Sequence, residues 1–456
     1  MRVAILPWGD PKNWKYVEYC FENTCVKGFS TLALLTSSPK IRPDLILIYV
    51  LDTLSDNVEH KNYKLLTSEV RDKVKNYLCV SKELDIKIEV LPGIMKKRGE
   101  LEITFRANPN DIRLKLLHHT YVSILSKINA KPKDNTLEIL IDTTHGVNYF
   151  TILVREAVLE ASTILAVHGK NVKVTAFNSD PFTSKDLPKR SKSDPCRLEE
   201  GEATLKTEYN LLYEVSIYPW DLTKYLRYSR DSAGKLLTDI RVCDFDQQRL
   251  RELMNFSKKV VASYRVGALV ELLTLARENP RASHEILETV DEALKCWSMN
   301  AKIEKLSDNT YRTSFTKLQD GLRLLLHAHA ILSSAKKLIN QQSFTTLTEI
   351  ERVRKELLRG SEITSTLVDS EIGIIKKLAK IPEEWKLYAE VLEEESVRGK
   401  EDSKNLERIK RNFIAHAGFL KDSLEIRKRE DIELRIKKEY RDEIDKVLNK
   451  IFKELM

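Results

Sequence analysis

Six consecutive residues late in the chain, Arg411-Asn412-Phe413-Ile414-Ala415-His416, hold side chains that could do chemistry together. Arginine keeps its charge and offers a planar fork of N–H donors that matches a phosphate. Histidine gives or takes a proton near neutral pH. RNA carries its own nucleophile, the 2′-hydroxyl. Its cleavage needs that hydroxyl deprotonated, the leaving 5′-oxygen protonated and the crowded phosphate stabilised. His416 suits the proton transfer, Arg411 the phosphate, and Asn412 adds a polar amide, with no metal called for. On a regular helix Asn412 and His416 share a face, whereas Arg411 and His416 stand about 140° apart. One copy therefore does not bring the pair together, and a second copy across a twofold axis would complete a site. An arginine and a histidine at this spacing are by themselves ordinary surface residues. Their weight depends on the rest of the chain.

A second group sits early. Asp142-Thr143-Thr144-His145-Gly146-Val147-Asn148 follows an apolar strand pattern and leads into a helical one. Backbone amides at such a junction, with a glycine for close approach, favour a phosphate; the same Asp and Thr residues also serve as routine helix caps. Trp8, Gly9 and Trp14 occupy the loop after the first strand pattern. The chain has neither GxxxxGK[ST] nor a GxGxxG turn after strand one, which excludes a P-loop and disfavours dinucleotide binding.

The elements that must carry these groups fall into two halves. Apolar runs at Val3–Leu6, Leu45–Leu51, Ile86–Leu91, Leu137–Ile141 and Val172–Phe177 read as buried parallel strands. Helical patterns at 63–78, 111–128 and 149–167 separate them, so residues 1–222 are expected to form an α/β Rossmann-like domain. A polar loop spans 179–201, and one more strand is expected at 209–215. From about 223 strand signals give way to helical periodicity. Residues 223–300 read as a helical connector, helix-turn-helix-like in one reading, and 301–456 as an all-α domain ending in one amphipathic helix over 432–455.

Composition limits the rest. The 456 residues carry 76 Lys and Arg against 68 Asp and Glu, a net charge of +8, which permits nucleic-acid binding without demanding it. No apolar run approaches a membrane span, and a cytoplasmic location is expected. The six scattered cysteines argue against a disulfide framework or a structural zinc site. Dense charge with only 14 glycines points weakly to a thermophilic source. His327-x-His329 puts two imidazoles on different helix faces, unsuited to one metal, and the run Glu393-Glu394-Glu395 reads as a solvated face.

The first-strand loop, Asp52-Thr53-Leu54 after strand two and the Asp142–Asn148 segment together resemble the CARF domain of CRISPR-associated accessory ribonucleases. Arg411-Asn412-x-x-x-His416 resembles the HEPN ribonuclease signature. In this order the two resemble the CARF-HEPN effectors of type III CRISPR systems. The resemblance implies an endoribonuclease acting on single-stranded RNA, with Arg411, Asn412 and His416 catalytic and no metal cofactor. Its expected products are a 2′,3′-cyclic phosphate and a 5′-hydroxyl. It implies a homodimer, with assembly into hexamers left open, activated by a cyclic oligoadenylate, most often cyclic tetra-adenylate. Trp8, Gly9, Trp14, Thr143, Thr144, His145, Gly146 and Asn148 would line the pocket for that ligand. The competing reading is a ligand-sensing regulator with a helix-turn-helix nucleic-acid-binding domain and no nuclease activity.

Overall fold

The computed structural model describes residues 1–456 except 57, 59–61, 81–83, 131–134, 182–186, 192, 200–204, 239–242, 244, 341 and 394–405. Glu394, Glu395 and part of the 179–201 loop thus lie outside the described residues. The chain divides into two compact units, one of residues 1–162, 170–217 and 294–318, the other of 163–169, 218–293 and 319–456.

The first unit is built on β1 (Arg2–Pro7), β2 (Val17–Phe21), β3 (Thr24–Gly28), β4 (Leu45–Leu51), β5 (Ile86–Leu91), β6 (Ile94–Lys97), β7 (Glu102–Arg106), β8 (Thr136–Asp142), β9 (Asn171–Ser179) and β10 (Lys206–Ile217). Helices α1 (Leu32–Ser37), α2 (Tyr63–Lys75), α3 (Pro109–Ala130) and α4 (Asn148–Val167) connect them. The main sheet runs β3-β2-β10-β9-β8-β1-β4-β5, with β5, β4, β1, β8 and β9 mutually parallel. Every residue of β4 is buried, which is why it reads as an unbroken apolar run. Strands are added from β1 through β4 to β5 on one side, then from β8 to β9 on the other. Chain order therefore reverses between β1 and β8, and at such a point the loops leave the carboxyl edge in opposite directions and open a crevice.

Three features of this unit depart from the sequence expectation. The β2–β3 hairpin extends the sheet at its far edge. A second sheet, β11-β12-β7-β6, recruits β11 (Lys302–Ser307) and β12 (Thr310–Ser314), which pairs in parallel with β7. Residues 301–318, expected in the helical domain, thus belong here, with Tyr311 buried beside Ile103 and Phe105. Cys20–Cys25 and Cys79–Cys196 form disulfides, correcting the expectation from spacing. The first joins directly paired residues of one hairpin, and the second closes 117 residues of chain. Neither separation is a framework signal, and intracellular disulfides do occur in hyperthermophile proteins.

The second unit holds α5 (Gln247–Val266), α6 (Leu269–Glu278), most of α7 (Ala282–Met299), α8 (Gly321–Leu338), α9 (Leu347–Leu357), α10 (Glu362–Lys377), α11 (Tyr388–Glu393), α12 (Leu406–Ala415) and α13 (Arg441–Glu454). Helix α8 is buried nearly all round, and α5, α6 and α9 pack on it. The proposed connector is therefore core: Leu269, Leu272 and Leu273 of α6 have no exposure. His327 and His329 lie in α8, His327 Nδ1 2.8 Å from the Tyr228 hydroxyl and His329 Nε2 3.3 Å from the Ser333 hydroxyl. A small sheet, β13-β16-β15-β14, is formed by β13 (Thr345–Thr346), β14 (Lys386–Leu387), β15 (Leu424–Lys428) and β16 (Ile432–Ile436). The predicted helix over 432–455 is instead β16 followed by α13. Among the described residues no helix is long and apolar enough to cross a membrane.

Candidate functional site

At the carboxyl edge of the main sheet the first-strand loop and the loop after β8 are knit together. The Gly9 amide donates to the His145 carbonyl at 2.7 Å. Trp14 stacks on the His145 ring at 4.1 Å and meets Trp8 edge-on at 4.8 Å. Trp8 is 1% exposed, so it packs the loop from below rather than lining an open pocket. Gly146 lies so close to the Pro7 carbonyl and Thr151 that a Cβ would sit 3.2 Å and 2.1 Å from them.

The His145 ring is turned inward. Its Nε2 is 3.3 Å from the Tyr19 hydroxyl and accepts from the Thr31 amide at 3.4 Å. An accepting Nε2 places the proton on Nδ1. Burial, helped by the Arg190 charge, lowers the ring pKa to about 3, so His145 is neutral and offers a phosphate no charge. Thr143 donates its hydroxyl to the Phe177 carbonyl at 3.0 Å, and the Thr144 hydroxyl accepts from the Ser179 amide at 3.0 Å. Asp142 is fully buried, accepts from the Thr31 hydroxyl and the Thr144 amide, and is pushed up by burial. These bonds tie the loop to the end of β9. They are not caps of α4, which starts only at Asn148.

Asn148 and Val147 are exposed at the start of that helix, and Gly9, Trp14 and Gly146 are half-buried. Tyr19 and Thr31 escaped sequence reading. The only signal for Tyr19 was the strand pattern of Val17–Phe21, and Thr31, before α1, had none.

In the second unit Arg411 and Asn412 lie in the last turns of α12, and His416 follows its end. Ile409 and Phe413 anchor the buried face of the helix, and Ala417 and Phe419 continue it. The end is a Schellman turn: the Ala417 amide donates to the Ile414 carbonyl at 3.2 Å, and the Gly418 amide to the Phe413 carbonyl at 2.8 Å. Ala417 (φ 46°) and Gly418 (φ 83°) both take the left-handed conformation. This turn stands His416 out of the helix, with its side chain 53% exposed.

Arg411 is exposed and makes no ion pair among the described residues. It lines a groove of about 610 Å³ with Glu407, Arg408, Lys410, Ile414 and Ala415. Lys410 is held by Glu407 at 3.2 Å and by Glu454. Among the described residues no group of three His, Cys, Asp or Glu side chains could hold a metal ion.

Sequence reading missed Glu371. This α10 residue places Oε1 2.8 Å from His416 Nδ1, with its own side chain only 9% exposed. Forty-five positions upstream on another helix, it looks like any surface glutamate. Tyr388 is buried nearby, and burial together with the Glu371 charge holds its hydroxyl protonated.

Comparison with known proteins follows the same division. A family model described as the CARF domain of the CRISPR system endoribonuclease Csx1 matches residues 3–181, and one for the HEPN domain of Csx1 matches residues 361–439. The chain is 26% identical over 434 residues to the CRISPR system endoribonuclease Csx1 of Methanocaldococcus jannaschii, spanning 93% of this chain and 86% of that one. Among solved structures, Enterococcus italicus Csm6 bound to cyclic hexa-2′-fluoro-hexa-dAMP aligns over 100% of both chains at 11% identity. Its TM-score of 0.29 is too low to carry an argument. Two domain matches in the expected order, and a relative spanning nearly the whole length, place the chain in the CARF-HEPN family of CRISPR-associated accessory ribonucleases.

Proposed function

We propose that this chain is a cytoplasmic, metal-independent endoribonuclease of type III CRISPR antiviral defence. It cleaves single-stranded RNA when a cyclic oligoadenylate, foremost cyclic tetra-adenylate, binds its α/β unit. The observation that carries this reading is the end of α12, where an exposed cation without an ion pair among the described residues and an exposed imidazole lie inside the HEPN match.

One His416 takes the proton from the 2′-hydroxyl, and the 2′-oxygen attacks phosphorus. The bond to the 5′-oxygen breaks, and the His416 of a second copy protonates that oxygen. The products are a 2′,3′-cyclic phosphate and a 5′-hydroxyl. Arg411 holds the phosphate oxygens as charge gathers on them, and Asn412 lends the amide beside it. The reading needs a homodimer, because a single α12 offers one imidazole. Hexameric assembly is compatible with it.

The ligand would lie over the β1–β8 crevice, reaching Gly9, Trp14, Gly146 and Asn148. Thr143, Thr144, His145 and Trp8 would hold that floor. Binding alters catalysis only through a difference in ligand affinity between the inactive and active states. The test is cleavage of a labelled single-stranded RNA in EDTA, with and without cyclic oligoadenylates of different ring size. Activation by cyclic tetra-adenylate is expected. A protein that no ring activates is not a switched enzyme of this kind, and cleavage lost in EDTA overturns metal independence.

A further inference from the structure

We infer that Glu371 is a positioning residue for His416 and assigns Nε2 as the nitrogen that moves the proton. This rests on the reading of His416 as the proton-transfer group and deepens it.

The geometry is asymmetric. Glu371 is nearly buried, whereas His416 is half exposed. Taking a carboxylate out of water is unfavourable unless a partner compensates. Among the described residues Glu371 hydrogen-bonds only to His416, at 2.8 Å. Among the described residues no lysine or arginine pairs with it, unlike the buried Glu349, which Arg277 grips at 2.6 Å, or Glu271, which Arg441 grips at 2.8 Å. In those two pairs a buried carboxylate is met by a partly buried arginine from another element. A buried anion aimed at one solvent-facing imidazole adds little to the fold, and its effect falls on the histidine.

That effect follows from the donor inventory of imidazole. A carboxylate only accepts, so Nδ1 must carry a hydrogen. In the neutral ring Nε2 is then the bare nitrogen, ready to accept a proton. In the charged ring Nδ1–H stays on Glu371, and Nε2–H is the proton to give. Each half of the cleavage therefore runs through Nε2 of its own His416, on the ring edge turned away from Glu371. The Schellman turn fixes the His416 backbone, and Glu371 fixes the rotation of its ring. Tyr388, held protonated beside Glu371, supplies no competing negative charge.

The experiment compares Glu371→Ala, Glu371→Gln, His416→Ala and the Glu371→Ala/His416→Ala double variant of the full-length protein, with saturating activator. Each is checked for thermal stability. Glu371→Ala is expected to lower kcat by roughly 10- to 100-fold with KM changed less than about threefold, since the group orients the reacting residue without holding RNA. Added formate should restore part of that loss by occupying the vacated carboxylate position. Glu371→Gln keeps the shape, so a fall in kcat there at unchanged stability supports the assignment even if the alanine variant folds poorly. The double variant should be no slower than His416→Ala alone.

Wild-type kcat in Glu371→Gln and in any folded Glu371→Ala overturns the inference. So does a loss in a folded variant that formate leaves untouched and that adds to the His416→Ala loss. Full cleavage by His416→Ala would instead overturn the underlying reading of the site.

Discussion

Gly418→Ala tests whether the turn after α12 is what presents His416. Gly418 has φ 83°, where an alanine is disfavoured by about 1–2 kcal/mol. Its new Cβ would stand 2.7 Å from Ala268 Cβ and 2.9 Å from Ala268 Cα. Ala268 cannot easily give way. It is fully buried, its amide donates to the Ser263 carbonyl at 2.9 Å, and its carbonyl receives the Leu272 amide at 2.9 Å. Overpacking of this kind costs about 1–3 kcal/mol. The two effects together remove about 2–5 kcal/mol, a large part of the ~5–15 kcal/mol that holds a domain folded. Relief by shifting the turn moves His416, and a misplacement of about 1 Å costs roughly 100-fold in rate. Urea denaturation should therefore show a lower midpoint with an unchanged slope, and RNA cleavage should fall more steeply than the folded fraction. Ala417→Gly is the contrast: it relieves strain at φ 46° but deletes a buried methyl worth about 0.8 kcal/mol, so its net effect is expected near zero. A Gly418→Ala protein with wild-type midpoint and wild-type cleavage would refute the reasoning.

Three further outcomes are expected. Arg411→Ala should leave stability within about 0.5 kcal/mol, because the side chain is exposed and unpaired among the described residues, while cleavage falls by about 100-fold or more. A matching loss of stability would show that Arg411 serves the fold. Asp52 is raised to about 7 by burial, against the pull of the Gly93 amide and the Tyr63 hydroxyl. Its folded pKa lies above the unfolded value of about 3.9, so its contribution to stability is full below that and is lost as pH rises toward 7. Asp52→Asn should thus gain on the wild type by about 1–4 kcal/mol between about pH 4 and pH 8 in urea titrations, and a constant difference would refute the assignment. Breaking Cys79–Cys196, which closes 117 residues, should destabilise by about 5 kcal/mol, and breaking Cys20–Cys25, five apart, by about 2 kcal/mol. Cys79 and Cys196 are exposed and Cys20 is fully buried, so mild reductant followed by alkylation should label the long bridge first.

The parallel strands β1, β4, β8 and β9 were legible because most of their residues are buried, and β5 because its apolar residues alternate. β4 has no polar residue to obscure its period, and β1, β5, β8 and β9 begin and end within a residue or two of the apolar runs. The β2–β3 hairpin and the strands of the second sheet were not. β11, Lys-Ile-Glu-Lys-Leu-Ser, has four polar residues of six and is mostly exposed, so no apolar run marks it as a strand. The 432–455 segment misled for another reason. Ile432, Ile436 and Tyr440 keep a four-residue spacing with Ile444, yet β16 runs through 432–436 with Glu433 and Leu434 buried and Arg435 turned out. At the α12 site the residue types carried the signal. Glu371 could not be seen, because it joins His416 only through the packing of α10 against the turn. At the β1–β8 crevice, sequence located the loop but not the direction of its side chains: Thr143, Thr144 and His145 spend their polar atoms on β9, Tyr19 and Thr31.

The pairing of β12 with β7 has a consequence for how this molecule comes to be made. The edge that Thr310–Thr313 covers is synthesised about two hundred residues before its cover. Until residue 318 leaves the ribosome, β7 presents an unpaired strand edge with Ile103 and Phe105 behind it, a template for association with other nascent chains. The α/β unit therefore cannot finish folding before α5, α6 and α7 have been translated. A fragment cut at residue 222, where the sequence suggests a boundary, would keep the loops of the β1–β8 crevice and lose the strand that closes the unit.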